Sequence, residues 1–340
     1  MQSMSEPLPP LNEAVGQKRP VASVLLIAFN QHATVRAAIE GALAQTYTPL
    51  EVVISDDASS DDTWAEIVSA AGQYNGPHRV ILNRNTRNLG IGAHLSRLVG
   101  MSSGEMLFVA AGDDVSLPHR CERVMNAWLA SGRRLDLIAS RLIDIDVDGV
   151  AHGEIAPADL AQYRTLAQWV ASPPHVVGAA QAWTRRVFER FGGLPAGVVA
   201  EDLIMVFRAI GCGGAATLPD ALVRYRRGGV SRRVRNLSAS TVVERLLKNN
   251  QHAVIELGQL LADARTLAGS EIVLSVLQLR LERELFIQRL FGAPTRWQAL
   301  KVLFGPAHLN AGLRLRMGVY AMCPWVLAPF FAIKRSRVRR

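Results

Sequence analysis

A mostly parallel β-sheet with helices on both faces, followed by a helical extension, is the fold class that this sequence predicts. Three observations predict it. Apolar strand-like runs alternate with helix-like stripes through short connections from Val21 to Ile145. Acidic or aromatic residues stand directly after three of those runs. After Arg235 the strand signals cease and only helical spacing remains.

The elements follow in order. Val21–Phe29 is an apolar strand, and Val35, Ala38, Ile39, Ala42 and Leu43 then repeat at helical spacing. Leu50–Ser55 is a second strand, followed by a helical stripe of Trp64, Ile67, Val68 and Ala71. Arg79–Asn83 makes a short third strand and Ile91–Met101 a helix. Glu105–Ala111 is the fourth strand, with a helix from Pro118 to about Ser131, and Leu135–Ile145 is the fifth. Residues 1–20, rich in proline, read as a loose leader. Residues 21–235 read as the α/β domain, 236–333 as a helical extension with an apolar segment, and 334–340 as a basic tail.

Composition bounds the function. The chain has 340 residues, 49% hydrophobic and 20% charged, which describes a folded protein with one large core or two modest ones. Its three cysteines show neither zinc spacing nor a disulfide framework, so a reducing compartment is expected. No basic segment followed by an apolar one opens the sequence, so no secretory signal is expected. GxxxxGK[ST] does not occur, which disfavours a P-loop ATPase. Asn88-Leu89-Gly90-Ile91-Gly92 lacks the third glycine and the first-strand position of a dinucleotide fingerprint.

Parallel sheets bind ligands beyond the carboxyl ends of their strands. Phe29 and Asn30 end the first strand, Asp56 and Asp57 the second, and Asp113 and Asp114 the fourth. One aromatic ring and four carboxylates on one rim match a base, a ribose and a metal-bound diphosphate. Unpaired carboxylates at the end of a buried strand are costly unless positive charge joins them. A divalent cation carrying a diphosphate would supply it. The competing reading is that Asp113 and Asp114 serve the dipole of the helix that starts near Pro118.

At this point the sequence resembles family 2 glycosyltransferases, a family of inverting enzymes with the GT-A fold, a Rossmann-like α/β architecture. The resemblance covers about Pro20 to Arg233. VASVLLIAFNQ is similar to the family's first strand, and ISDDASSDDT to its DDGSxDxT segment. NLGIGAHLSRLVGMSSGE is similar to NxGxxxAxNxG, AAGDDV stands in place of LDxDD, and Glu201-Asp202 in GVVAEDLIMVFRA resembles the ED motif. Three departures stand out. The late Asn of NxGxxxAxNxG is not kept, its position falling near Ser96 or Arg97. Ala111 replaces the first acid of the metal motif, and the QxxRW element of processive members is absent. Leu222–Gly229 stands where non-processive members have a closing loop.

The resemblance implies a transfer of one sugar from a nucleotide-diphosphate sugar to a saccharide or lipid-linked acceptor, with inversion, in surface polysaccharide synthesis. It implies Asp202 as catalytic base with Glu201 beside it, Asp113 as ligand of a divalent cation (Mg²⁺ or Mn²⁺), and Asp114 as second ligand or donor-sugar contact. Phe29 and Asn30 fall at the nucleobase, and Asp57 contacts the base. The plainer alternatives are acids at a helix start for Glu201 and Asp202 and an Asx-turn for Asp57. Arg84 and Arg87 follow the third strand, where they could meet phosphate or be solvated. His175 precedes a stretch that resembles the acceptor-cleft floor, or is structural. Arg226 and Arg227 could close over the diphosphate or form a basic loop. A weakly active nucleotide-sugar-binding protein and, less so, a sugar nucleotidyltransferase are the competing functions.

The net charge is +9, and Lys334, Arg335, Arg337, Arg339 and Arg340 crowd the last seven positions. Met317–Ile333 runs 17 residues without a charge but contains Pro324 and Pro329, which is marginal for a spanning helix. An anionic membrane surface rather than nucleic acid is the expected partner, with the chain peripheral at the inner face of the plasma membrane. The alternative is a helix packed on the protein itself.

Overall fold

The computed structural model describes residues 18–226, 239–305, 309–323 and 325. The leader up to residue 17, Arg227 with its Gly-Gly neighbours, and the basic tail lie outside the described residues.

The first half follows the expected alternation. β1 (Ala22–Ala28), α1 (Val35–Leu43), β2 (Leu50–Asp56), α2 (Thr63–Gly72), β3 (Arg79–Arg84), α3 (Ile91–Met101) and β4 (Met106–Ala111) succeed one another. Their strands pair in parallel in the order β3-β2-β1-β4. Period-two alternation splits their side chains between two cores. Val24, Leu26, Val52, Ile54 and Phe108 face the side covered by α1, α2 and α4 (Arg120–Ala130). Leu25, Val53, Leu107 and Val109 face the opposite layer, where α3 supplies Leu95 and Leu98. Burying a side chain of this size stabilises the fold by about 1.5–3 kcal/mol, so these strands are the rigid base of the rim.

Beyond β4 the sheet departs from the expected run of parallel strands. After β5 (Val115–Ser116), β6 (Leu137–Ile145), β7 (Ala151–Ile155) and α5 (Leu166–Ala171), the chain forms a four-residue strand, β8 (Gln181–Thr184). β8 lies antiparallel between β4 and β6, so the expected fifth strand, β6, does not neighbour the fourth. α6 (Arg185–Arg190) and α7 (Glu201–Ile210) lead into β9 (Ala215–Arg226), which runs parallel to β6 and ends antiparallel to β5. Leu222–Arg226, expected within a closing loop, is therefore the end of a 12-residue strand. Its backbone donors and acceptors are used by β6 and β5.

The helical extension is present and divides in two. α8 (Ala239–Thr266) and α9 (Glu271–Phe291) pack on the catalytic layer, where Leu260, Leu261, Ala264, Val273 and Leu277 join the core of Leu25 and Trp183. A buried ion pair fixes this contact, with Arg208 Nε donating to Asp263 Oδ2 at 2.7 Å. α10 (Arg296–Leu303) and α11 (Ala311–Met322) instead form a small separate core with the end of α9, around Phe286, Leu290, Leu303 and Met317. Met317 and Gly318, which open the uncharged stretch, are thus packed on protein. Among the described residues no helix is long and apolar enough to cross a membrane.

Candidate active site

The rim beyond β1, β2 and β4 gathers the expected residues but gives them unequal tasks. Phe29, just past β1, is 46% exposed, a large ring left open to the rim. Asn30 follows with φ 52°, the left-handed region that Asn tolerates better than most side chains. Its Oδ1 accepts from Ser60 N at 2.9 Å and its own N–H donates to Ser59 Oγ at 2.9 Å. Asn30 therefore joins β1 to the loop after β2.

Asp57 is turned inward. Its Oδ1 accepts from Asn85 Nδ2 at 2.7 Å and from Leu89 N at 2.9 Å, and its Oδ2 from Gly90 N at 3.0 Å. Both oxygens are engaged and the residue is only 3% exposed, so Asp57 lies within the rim rather than open on it. Asp57 instead builds the Asn85–Gly90 loop that starts α3. Arg84 is likewise occupied, because the β2–β3 register sets it beside Asp56. Its Nε donates to Asp56 Oδ2 at 3.1 Å and its Nη2 to Ser59 O at 3.3 Å. Arg87 is exposed and has no ion-pair partner among the described residues.

Asp113 and Asp114 occupy the turn between β4 and β5. Gly112 makes this turn possible, since a Cβ there would lie 2.6 Å from Gln31 Oε1 and 3.0 Å from Ala28 Cβ. Burial pushes the Asp113 carboxyl up, against a hydrogen bond from Gln31 and the charge of Arg226. Burial first and the Asp113 charge second push Asp114 up to about 8. Asp114 Oδ1 accepts from the backbone N–H of Arg226 at 2.8 Å. The Arg226 guanidinium passes the carboxylates and donates to the carbonyls of Asp146 at 2.6 Å and Asp113 at 3.3 Å. It clamps the β6–β7 turn onto the acidic turn rather than standing free over a diphosphate.

Glu201 and Asp202 form the first turn of α7. Glu201 lies against Gly178, whose missing Cβ leaves room for its carboxylate. Burial, then the charges of Asp202 and Glu256, push Glu201 up to about 8. Burial also pushes Asp202 up to about 6, with Leu203 N–H and His175 pulling the other way and Glu256 adding to the rise. His175 is itself exposed. The α7 start is tied to the acidic turn through Gln181. Its Nε2 donates to Asp202 O at 3.3 Å, and its carbonyl accepts from Arg120 Nη2 at 3.1 Å. Arg120 in turn donates to Ser116 Oγ at 2.9 Å.

Three residues of this site were not singled out by the sequence. Gln31 bonds Asp113, Gln181 joins the two acidic pairs, and Glu256 on α8 accepts from Val199 N at 3.0 Å and Ala200 N at 2.8 Å at the head of α7. The first two stand inside motifs already noted, two places after Phe29 and directly after Gly178-Ala179-Ala180. Glu256 carries no sequence signal, being one of three acids spread along a 28-residue helix.

An open aromatic ring and an acidic turn thus stand beyond the strand ends of a mostly parallel sheet, with a second acidic pair opening α7 beside them. The family model for glycosyl transferase family 2 matches residues 23–191, and the chain belongs to that family. It is 30% identical to EpsE of Bacillus subtilis over 139 residues, 41% of this chain and 49% of that protein. It is 28% identical to the succinoglycan biosynthesis protein ExoO of Rhizobium meliloti over 238 residues, 66% of each. These matches span about half to two thirds of the relatives' own length. Among solved structures it is similar to the mannosyltransferase PcManGT of Pyrobaculum calidifontis in complex with GDP-Man and Mn²⁺. That likeness has a TM-score of 0.51 and 18% identity, covering 92% of this chain and 87% of that one. The architecture is the GT-A fold.

Proposed function

We propose that this glycosyltransferase moves one sugar from a nucleotide-diphosphate sugar to a saccharide or lipid-linked acceptor, with inversion, in the synthesis of a surface polysaccharide. The observation that carries the reading is Asp202, a largely buried carboxylate whose pKa is pushed up to about 6 at the head of α7. A base of that strength can take a proton near neutral pH yet remain mostly ionised there. In the proposed step the acceptor hydroxyl gives its proton to Asp202 while its oxygen bonds the anomeric carbon. The bond from that carbon to the diphosphate oxygen breaks on the opposite face with its electron pair, which inverts the centre. Glu201, held protonated by burial, supports Asp202 without competing for the proton. Phe29 offers its open ring to the nucleobase.

The acidic turn fits a divalent cation. Asp113 and Asp114 are two hard oxygen donors whose pKa values both rise, and no third metal-binding side chain joins them among the described residues. Two carboxylates completed by diphosphate oxygens and water suit Mg²⁺ or Mn²⁺. Bound there, the ion would neutralise the charge that develops on the leaving diphosphate. Arg226 and Gln31 hold the turn in shape. The same proposal puts the chain at the inner face of the plasma membrane, and its basic, apolar C-terminal sequence supports that reading.

Titration of nucleoside diphosphates with and without Mn²⁺ tests the site. Asp113→Ala should abolish metal-dependent binding while the fold persists, and an unchanged metal dependence overturns the assignment. Ala111, in place of the first acid, favours the competing reading of a binder without transfer activity. Release of nucleoside diphosphate by the wild type in the presence of Mn²⁺ separates the two, since a pure binder releases none.

A further inference from the structure

The C-terminal helices carry a feature that sugar transfer does not use. Between α9 and α11 lies a cleft of about 550 Å³, lined by Leu279, Arg280 and Arg283 on one side and Leu309, Leu313 and Arg316 on the other. On α9 the spacing i, i+1, i+4 brings a leucine and two arginines to one face, and on α11 Leu313 and Arg316 face them. No acidic side chain lines the cleft. Arg280 gives one N–H to Val170 O at 2.6 Å, and Arg283 lies 3.5 Å from Glu284. Arg316 is exposed and has no hydrogen bond or ion pair among the described residues. Three arginines line this one cleft, and guanidinium N–H groups chelate phosphate oxygens in pairs. The leucines form an apolar wall beside them.

The surroundings distinguish a lipid from a dissolved anion. None of residues 285–340 is acidic. Trp297 on α10 and Phe304 directly after it stay exposed, while Ala299 and Leu303 turn into the small core. Trp297 is 76% and Phe304 77% exposed, and Leu315 on α11 is 68% exposed. Open aromatic and apolar side chains interleaved with cations are the composition of a surface that meets lipid headgroups.

We propose that the cleft between α9 and α11 binds the phosphate headgroup of an anionic membrane lipid, with the leucine wall taking the adjoining methylenes. The proposal rests on the membrane contact proposed above but not on sugar transfer. It is tested with the full chain by calorimetry on a short-chain, water-soluble phosphatidylglycerol, and by flotation with vesicles of phosphatidylcholine with and without phosphatidylglycerol. R283Q/R316Q removes two cations at exposed positions and leaves the helix cores untouched. R296Q/K301Q removes the same charge outside the cleft.

The short-chain lipid should bind saturably with one molecule per chain, and R283Q/R316Q should weaken it about tenfold or more. Inorganic phosphate should bind more weakly than the lipid, lacking the methylenes. Equal weakening in R296Q/K301Q would mean diffuse charge and overturn the site. Inorganic phosphate binding as tightly as the lipid would overturn the lipid assignment. Vesicle binding unchanged in R283Q/R316Q would overturn the cleft and leave the membrane contact standing. No preference of the wild type for anionic vesicles would overturn both.

Discussion

Asp56 and Asp57 sit at the end of β2 among donors, whereas Glu201 and Asp202 open α7 among other acids. The first pair accepts from Ser59 N, Arg84, Asn85 and two backbone N–H groups. The second has Leu203 N–H on Asp202 and a further carboxylate, Glu256, nearby. Both pairs are buried or nearly so. What separates them is compensation. A carboxylate held by several N–H groups is a fixed strut, while one left in poor company keeps affinity for a proton. Only the second kind can accept one from an acceptor hydroxyl.

The comparison breaks first, and most visibly, at Asp202. Asp202→Asn should lower turnover about 10²-fold or more with donor affinity little changed. The same change should leave the urea midpoint at or above that of the wild type, because it removes an ill-compensated charge. Retained turnover would return Asp202 to the role of a first-turn acid that suits the helix dipole.

Asp57→Asn should do the reverse. The amide replaces an acceptor with a donor facing Asn85 Nδ2 and Leu89 N or Gly90 N, so at least one buried N–H loses its partner. A loss of about 1–3 kcal/mol follows from an unsatisfied buried group. It is read as a lower urea midpoint at constant slope. A variant as stable as the wild type would show that the Asn85–Gly90 loop does not depend on this carboxylate.

Glu201 sharpens the contrast through pH. Its folded pKa lies near 8 against an ordinary 4.5, so between those values the folded chain holds a proton that the unfolded chain releases. Stability from this group therefore falls as pH rises through that window. Glu201→Gln should flatten that part of the thermal-stability profile and raise the melting temperature by about 2 °C or more near its upper end. Parallel profiles for the two proteins would place the Glu201 carboxyl in a better-compensated setting than its neighbours provide.

The legible part of this fold is the part made by local pattern. β1 to β4 and their helices repeat apolar residues at periods of two and 3.6, and each lies within two residues of its expected place. β8 was missed because four residues, QAWT, carry no alternation long enough to read, and its strand identity comes from pairing with both β4 and β6. β9 was missed because Pro219, Asp220 and two register shifts interrupt it. At the site, the acids were legible as residue types and places. Whether each is compensated was not, because the partners arrive from elsewhere. Arg84 reaches Asp56 through strand register, and Glu256 reaches α7 from a helix more than fifty residues later.

Glu256 gives the smallest and most specific effect. Its Oε1 accepts from Val199 N and Ala200 N, while its charge raises both Glu201 and Asp202. Glu256→Gln keeps an oxygen for those two N–H groups and removes only the charge. With less negative charge nearby, ionised Asp202 becomes easier to form, so its pKa should move down toward the ordinary carboxylate value. A base must be deprotonated to act, so the acid limb of the pH profile of kcat/KM should shift to lower pH. The plateau should stay within about threefold of the wild type, since a slightly weaker base in the right place loses little. Glu256→Ala provides the counterpart, because it leaves two N–H groups at the head of α7 unpaired at a cost of about 1–3 kcal/mol. If folded Glu256→Gln leaves the acid limb where it was, Glu256 is a helix cap alone. The extension would then support α7 without tuning the base it presents.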